Sequence, residues 1–141
     1  MNEQSPLEEL LMRISDRPSE DLSCSWHITK SPSCETFFSG ATTGKWCVFA
    51  PSSDVDQAWT KIKSAVEEDK LLCAKVSTAL RSMGHDGHII CVYTRDWTDG
   101  QDLLRVRGVL RSLGFVEELG YKRDIDTKNR IYGPGEWYMR A

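Results

Sequence analysis

Apolar and polar residues alternate along this chain in two distinct periods, and the period sets the element. "GKWCVFA" (residues 44–50) is a compact apolar run of the kind that forms a buried strand, and "PSSDVDQAWTKIKSAVEED" follows it. In that second stretch Val55, Ala58, Trp59, Ile62, Ala65 and Val66 recur at steps of three and four, which predicts one buried face of a helix. Lys61, Lys63, Glu67 and Glu68 then largely face water, and Asp54 with Gln57 three residues on predicts a capping box. "LLCAKVST" and "HIICVYT" read as two neighbouring strands, joined by "ALRSMGHDG", whose glycines make a turn.

Thr98 is expected to open a second helix with Gln101 at the capping-box position; Leu103, Val106, Leu110 and Leu113 make its buried stripe. Arg105, Arg107 and Arg111 are its solvated positions, and Gly114 ends it in the place that favours a left-handed residue. "FVEELGYK" then predicts a strand with Tyr121 on one face and Lys122 on the other. The order strand, helix, two strands, helix, strand points to an α+β fold, a sheet with helices on one face.

The flanks are less regular. Residues 6–14 ("PLEELLMRI") predict a short amphipathic helix within an acidic arm spanning 1–22, and residues 23–141 form a single α+β domain. From Arg17 to Gly44 the chain is rich in Ser, Thr, Cys and Pro, which predicts irregular structure with one or two edge strands.

Composition narrows the class. With 141 residues, 40% apolar and 28% charged, the chain fits one soluble globular domain. It has no run of about eighteen apolar residues, and its start is acidic where a signal peptide would be basic. The expectation is a cytoplasmic or nuclear protein with no membrane partner. Of five cysteines, Cys47, Cys73 and Cys91 sit inside apolar runs and read as buried, reduced thiols. Cys24 and Cys34 flank His27, but there is no C-x-x-C and a fourth ligand is missing, so neither a metal nor another cofactor is expected.

Charge redirects attention to the later half. Residues 1–22 carry six acids and two bases, so the rest holds fifteen acids and sixteen bases despite a net charge of -3. The bases cluster from Arg105 to Arg130, which suits an anionic ligand but is too mild for charge-driven nucleic-acid binding. Lys75 interrupts the apolar run "LLCAKVST". If Lys45, Lys75 and Lys122 share the concave face, three ammonium groups meet near the returning Asp124 and Asp126. Trp26, Trp97 and Trp137 fall in loop-like text beside them, where aromatic rings can stack on nucleotides. "GHDGH" reads as a turn.

The motifs "GKWCVFAPSSDVDQAWTKIKSAV", "AKVSTA", "HIICVYTRDWTD" and "LGYKRDIDT", in this order over residues 44–133, resemble the family named after basophilic leukaemia-expressed protein. The resemblance implies a fold similar to the mRNA cap-binding translation initiation factor 4E, a curved antiparallel sheet backed by helices. That factor stacks a methylated guanine between two loop tryptophans, with a glutamate just after one of them. Here Trp26 is followed by His27 and no Trp-Glu dipeptide occurs.

Some relatives are described as similar to phosphothreonine lyases, which implies Lys75 as the general base. Their Lys-x-His acid motif falls on Lys45, Trp46 and Cys47. The sequence thus nominates a phosphorylated or nucleotide-like ligand, RNA included, held by Lys45, Lys75, Lys122, Asp124, Tyr93, Tyr121 and Trp97. The alternatives are a lyase-like enzyme with catalytic Lys75, and a protein-interaction module using the acidic helix or the Arg-bearing helix.

Overall fold

The computed structural model describes residues 16–34, 39–83, 85–129 and 137–141, so the expected helix at 6–14 lies outside the described residues. Six strands, β1 (Trp26–Lys30), β2 (Gly44–Ala50), β3 (Cys73–Ser77), β4 (His88–Thr94), β5 (Gly120–Arg123) and β6 (Met139–Arg140), form one sheet in the order β1-β3-β4-β2-β5-β6. Every pairing is antiparallel. Helices α1 (Ser52–Glu67) and α2 (Gly100–Ser112) cover one face, and a short α3 (Asp124–Lys128) closes the end of β5. This is the α+β fold that the two periodicities predict.

The core lies between the helices and one face of the sheet. Val55, Trp59, Ile62 and Val66 of α1 and Leu103, Val106 and Leu110 of α2 are buried against Trp46, Val48, Val76, Ile90, Val92 and Tyr121. Trp46 and Tyr121 meet edge to face with centroids 5.3 Å apart, and the Trp46 indole donates to the Leu103 carbonyl at 3.0 Å. Tyr121 lies directly over Gly44: a Cβ at Gly44 would sit 2.2 Å from the Tyr121 hydroxyl. That hydroxyl pairs with Thr94 Oγ1 at 2.6 Å.

Four local expectations are corrected. Helix α1 begins earlier than Asp54, with Pro51 at its N-cap, and its exposed Ser52 amide donates to Asp86 Oδ1 at 3.0 Å from the turn before β4. Helix α2 is capped by Asp99, whose side chain accepts from the Asp102 amide, rather than by Thr98. The strand expected over 115–122 starts later: Leu119 exchanges backbone hydrogen bonds with Ala141, and the strand proper runs from Gly120 to Arg123.

Arg107, placed on the solvated face by its spacing, is instead 2% exposed. Its guanidinium donates to the carbonyls of Ala141, Phe115 and Glu117 at 2.6–2.8 Å, so it ties the helix exit to the chain end. A buried guanidinium supplies several donors to backbone oxygens that no water reaches. Gly114 does adopt the left-handed backbone, at φ 105°, as the helix exit requires. No helix among the described residues is long and apolar enough to cross a membrane.

Candidate functional site: the open face of the sheet

Strand register decides which side chains meet. With Trp46, Val48, Ala74, Val76, Ile90 and Val92 turned to the helices, the alternate positions of the same strands must face the other way. Three rows follow from the pairing. The first runs Lys122, Lys45, Tyr93, Cys73, Lys30; the second Gly120, Cys47, Cys91, Lys75, Ile28; in the third, Phe49 pairs with Ile89 and Ser77 with Trp26, the two pairs joined by the Ile89 amide donating to Ser77 Oγ at 2.9 Å. The open face is therefore cationic and tyrosine-bearing at one end and apolar at the other. Ile28 and Phe49 are each 66% exposed there.

The first row holds a buried ion pair. Lys45 and Lys122 stand directly opposite each other on β2 and β5, both buried, a like-charge juxtaposition that costs stability unless an anion intervenes. Asp124 enters at the N-terminus of α3. Its Oδ1 accepts from Lys45 Nζ at 2.7 Å, and its Oδ2 accepts from the hydroxyls of Thr43 and Ser39 at 2.6 Å each. Lys45 also donates to Thr127 Oγ1 at 3.1 Å. Burial pushes the Asp124 carboxyl up, but these donors, Lys45 foremost, outweigh it and hold the group below the usual carboxylate range.

Lys75, in the second row, has different company. Its Nζ lies 4.0 Å from the Trp26 ring centroid and 5.9 Å from that of Tyr93, while the Arg81 guanidinium sits 4.8 Å from the same Trp26 ring. Among the described residues no carboxylate is within ion-pair distance of it. Burial, with Lys45 and Arg81 nearby, lowers its pKa below that of an ordinary lysine. A hollow of about 240 Å³ opens beside it, lined by Ile28, Lys30, Ser39, Cys73, Lys75 and Tyr93 among others. A larger hollow of about 570 Å³ lies at the apolar end, between Phe49, Ile89 and Arg81.

Between the two ends Cys47 and Cys91 face each other across β2 and β4, both buried. The Cys47 thiol beside it, with Lys75 and Lys45, draws Cys91 below an ordinary thiol against the effect of burial, while Cys91 and burial raise Cys47 far above one. Burial also raises Tyr93.

The structure thus brings Lys45, Lys75, Lys122, Tyr93 and Asp124 to one side of the sheet. Two nominated residues lie elsewhere. Tyr121 is fully buried on the helix side, because its strand parity is opposite to that of Lys122. Trp97 packs at the edge of that core, its indole donating to the Ala41 carbonyl at 2.8 Å and its ring stacked 4.7 Å from the Arg123 guanidinium.

The densely charged tract after β5 splits in the same way. Asp124 serves Lys45, while Asp126 accepts from Arg123 Nε and Nη2 at 2.8 Å each on the other side. Trp26, expected in a loop, opens β1 and stacks on Lys75 and Arg81. Arg81 was missed as a neighbour because only the strand order puts it beside Trp26. His88 of "GHDGH" is buried, bonding the Ser77 carbonyl at 2.9 Å and Ser52 Oγ at 3.0 Å, so it braces the turn.

The fold has solved counterparts. It is similar to eIF4E-3 of C. elegans in complex with the 4E-binding protein Mextli and a cap analog, with TM-score 0.65, 17% identity, and coverage of 89% of this chain and 73% of that one. It is also similar to eIF4E-3 of Ascaris suum in complex with m2,2,7G cap (TM-score 0.52, 16% identity, 70% of this chain, 57% of that chain). A schistosome eIF4E complexed with m7GpppA and 4E-BP gives TM-score 0.56 and 15% identity over 71% of this chain and 59% of that one. At such identities the shared property is the fold, a helix-backed antiparallel sheet of the initiation factor 4E kind. A sequence model of the basophilic leukemia-expressed protein Bles03 family matches residues 38–132, well over half the chain. The chain therefore belongs to the Bles03 family.

Proposed function

We propose that the open face of the sheet binds a phosphorylated or nucleotide-like anion, with Lys75 as its principal contact. The observation that carries this reading is the contrast between two lysines on one face. Lys45 has a buried carboxylate at 2.7 Å, whereas Lys75, with the Trp26 ring 4.0 Å away, has no carboxylate within ion-pair distance among the described residues, and burial lowers its pKa. A half-buried ammonium with no carboxylate partner among the described residues is a cost to the fold, and an arriving phosphate oxygen lessens it by pairing with the cation.

The row order supports an oriented ligand. Its anionic part lies over Lys45, Lys75 and Lys122, and any aromatic part lies toward Trp26, Phe49 and Arg81. The first and third rows are four strand residues apart, as Lys45 and Phe49 show, so they are separated by roughly 13 Å, room for a phosphate at one end and an aromatic group at the other. The neighbouring solved structures hold cap nucleotides, which agrees with this ligand class for the fold. The test is a thermal-shift titration with inorganic phosphate, GTP and a cap analogue. Stabilisation by at least one of them, lost on replacing Lys75, is the expected result; no shift with any of them at millimolar concentration contradicts the reading.

A lyase reading has one observation in its favour, the lowered pKa of Lys75, which suits a general base. Cys47, at the position of the acid, opposes it: it is buried, its thiol is raised far above neutrality, and its bonding partner is Cys91. The expectation is binding without turnover. Mass spectrometry of a phosphothreonine peptide after overnight incubation tests it; loss of phosphoric acid would reverse the order of the two readings.

A further inference from the structure

A second cluster lies away from the lysine face, in the segment that leads into β1. Asp21, Cys24 and His27 stand at three-residue steps, and their ligand-type atoms all fall within 4.8 Å of one another. Cys34, the partner that spacing alone nominated, is not in this group. Both donors converge on one oxygen: His27 Nε2 is 2.5 Å from Asp21 Oδ2, and Cys24 Sγ donates to the same atom at 3.4 Å.

The scaffold around them is fixed. Asp21 is 3% exposed, and its other oxygen accepts from the Ser23 amide at 2.8 Å and the Ser23 hydroxyl at 2.6 Å. The backbone of the segment is pinned to the exit of β3 by Thr78 N to Ser25 O, Ala79 N to Pro18 O and Leu80 N to Asp21 O, at 2.8–3.1 Å. The Thr78 hydroxyl bonds the Cys24 carbonyl as well. On the open side of His27 a hollow of about 570 Å³ is bordered by Asp16, Trp59 and Lys63.

We propose that Asp21, Cys24 and His27 form a binding site for a divalent transition cation, zinc being the best match to one oxygen, one sulfur and one nitrogen donor. Zinc takes four tetrahedral ligands at about 2.0–2.3 Å, so its donors stand roughly 3.3–3.8 Å apart. The Cys24–Asp21 separation of 3.4 Å already fits. The His27–Asp21 separation of 2.5 Å must open by about an ångström, a side-chain adjustment once the proton between them is gone.

The exchange balances. The Cys24 thiol proton leaves to solvent, and the proton on His27 Nε2 leaves likewise or is replaced by one on Nδ1. The cation takes the place both protons held against Asp21 Oδ2. Carboxylate and thiolate together then neutralise the ion's two charges. Three protein ligands leave a fourth position open to water from the hollow, or to Asp16 at its edge.

The probe is cobalt(II), added to the full chain under reducing conditions, followed by displacement with zinc. Tetrahedral visible bands and a near-ultraviolet sulfur-to-cobalt charge-transfer band, at one ion per chain and abolished by zinc, are the expected result. Cys24→Ser should remove the charge-transfer band, and Cys24→Ser or His27→Gln should weaken binding at least roughly tenfold. Asp21→Asn is the less informative variant because Asp21 also holds Ser23. Absence of the bands overturns the site, and so does a spectrum that Cys24→Ser leaves unchanged, since the cation would then be held by other residues.

Discussion

Lys45 Nζ lies 2.7 Å from Asp124 Oδ1 with both groups buried, so the carboxylate that begins α3 is locked to a lysine on the second strand, 79 residues earlier in the chain. Asp124→Ala would leave the ammonium without its buried counter-charge, beside Lys122 across the ladder. The expected loss is about 3 kcal/mol in urea unfolding. Lys45→Met with Asp124→Leu should recover much of it, because an apolar pair avoids both desolvation costs. A loss below about 0.5 kcal/mol in the single variant would mean the pair contributes little.

The same pair sets an acid limit. Asp124 has its folded pKa held below the unfolded value, so its contribution is present above about pH 4 and is lost as pH falls through the lower, folded pKa. Asp21, held down by His27 and Ser23 against the opposing effect of burial, acts in the same direction. Acid unfolding followed by circular dichroism should therefore show a transition below pH 4, shallower in Asp124→Asn. Identical acid profiles for the two proteins would contradict this assignment.

Lys75 carries the opposite sign. Its pKa is lowered in the folded state, so the unfolded chain binds more protons just below the free-lysine pKa, and stability should rise with pH through that window. Lys75→Met keeps the apolar stem over Trp26 and removes the charge. Its stability should equal or exceed that of the parent at pH 7, measured by urea unfolding. A large loss would mean that Lys75 serves the fold rather than a ligand.

Gly44 and Tyr121 give a test on the other side of the sheet. Gly44→Ala would bring a Cβ within 2.2 Å of the Tyr121 hydroxyl, in a core that cannot yield, and should cost about 3 kcal/mol. Tyr121→Phe loses only the bond to Thr94, about 1 kcal/mol, and should leave anion binding unchanged because the ring faces the helices. Abolished binding in Tyr121→Phe at retained stability would show that the ligand reaches the helix side.

Thiol chemistry is expected to follow burial. Cys24 is partly exposed, whereas Cys34, Cys47, Cys73 and Cys91 are buried, and burial pushes Cys73 up to about 12. Peptide mapping after brief maleimide treatment should find label at Cys24 alone in the native protein and at all five after denaturation. Early label at Cys91 would show that this sulfur opens to solvent on the lysine face.

Much of this fold was legible because the helix stripes of α1 and α2 and the apolar runs of β2 and β4 each obey one period. Arg107 was not legible: an arginine beside a buried stripe looks solvated, and its burial depends on carbonyls supplied by Phe115, Glu117 and Ala141. Nor was the shared face of Lys45, Lys75 and Lys122, since alternation gives the parity within one strand and only pairing gives it between strands. The position of Tyr121 was readable from its alternation with Lys122, yet the charged surroundings argued for a site. Trp26 reads as loop in the sequence because β1 is an edge strand whose polar residues hide its period.

The most direct measurement is the thermal shift of the parent and Lys75→Met side by side with inorganic phosphate, GTP and a cap analogue. The account predicts a concentration-dependent rise for the parent with at least one of them, and a loss of most of that rise in the variant at equal basal stability. An equal rise in both proteins, or none in the parent, would contradict an anion site on the open face of the sheet.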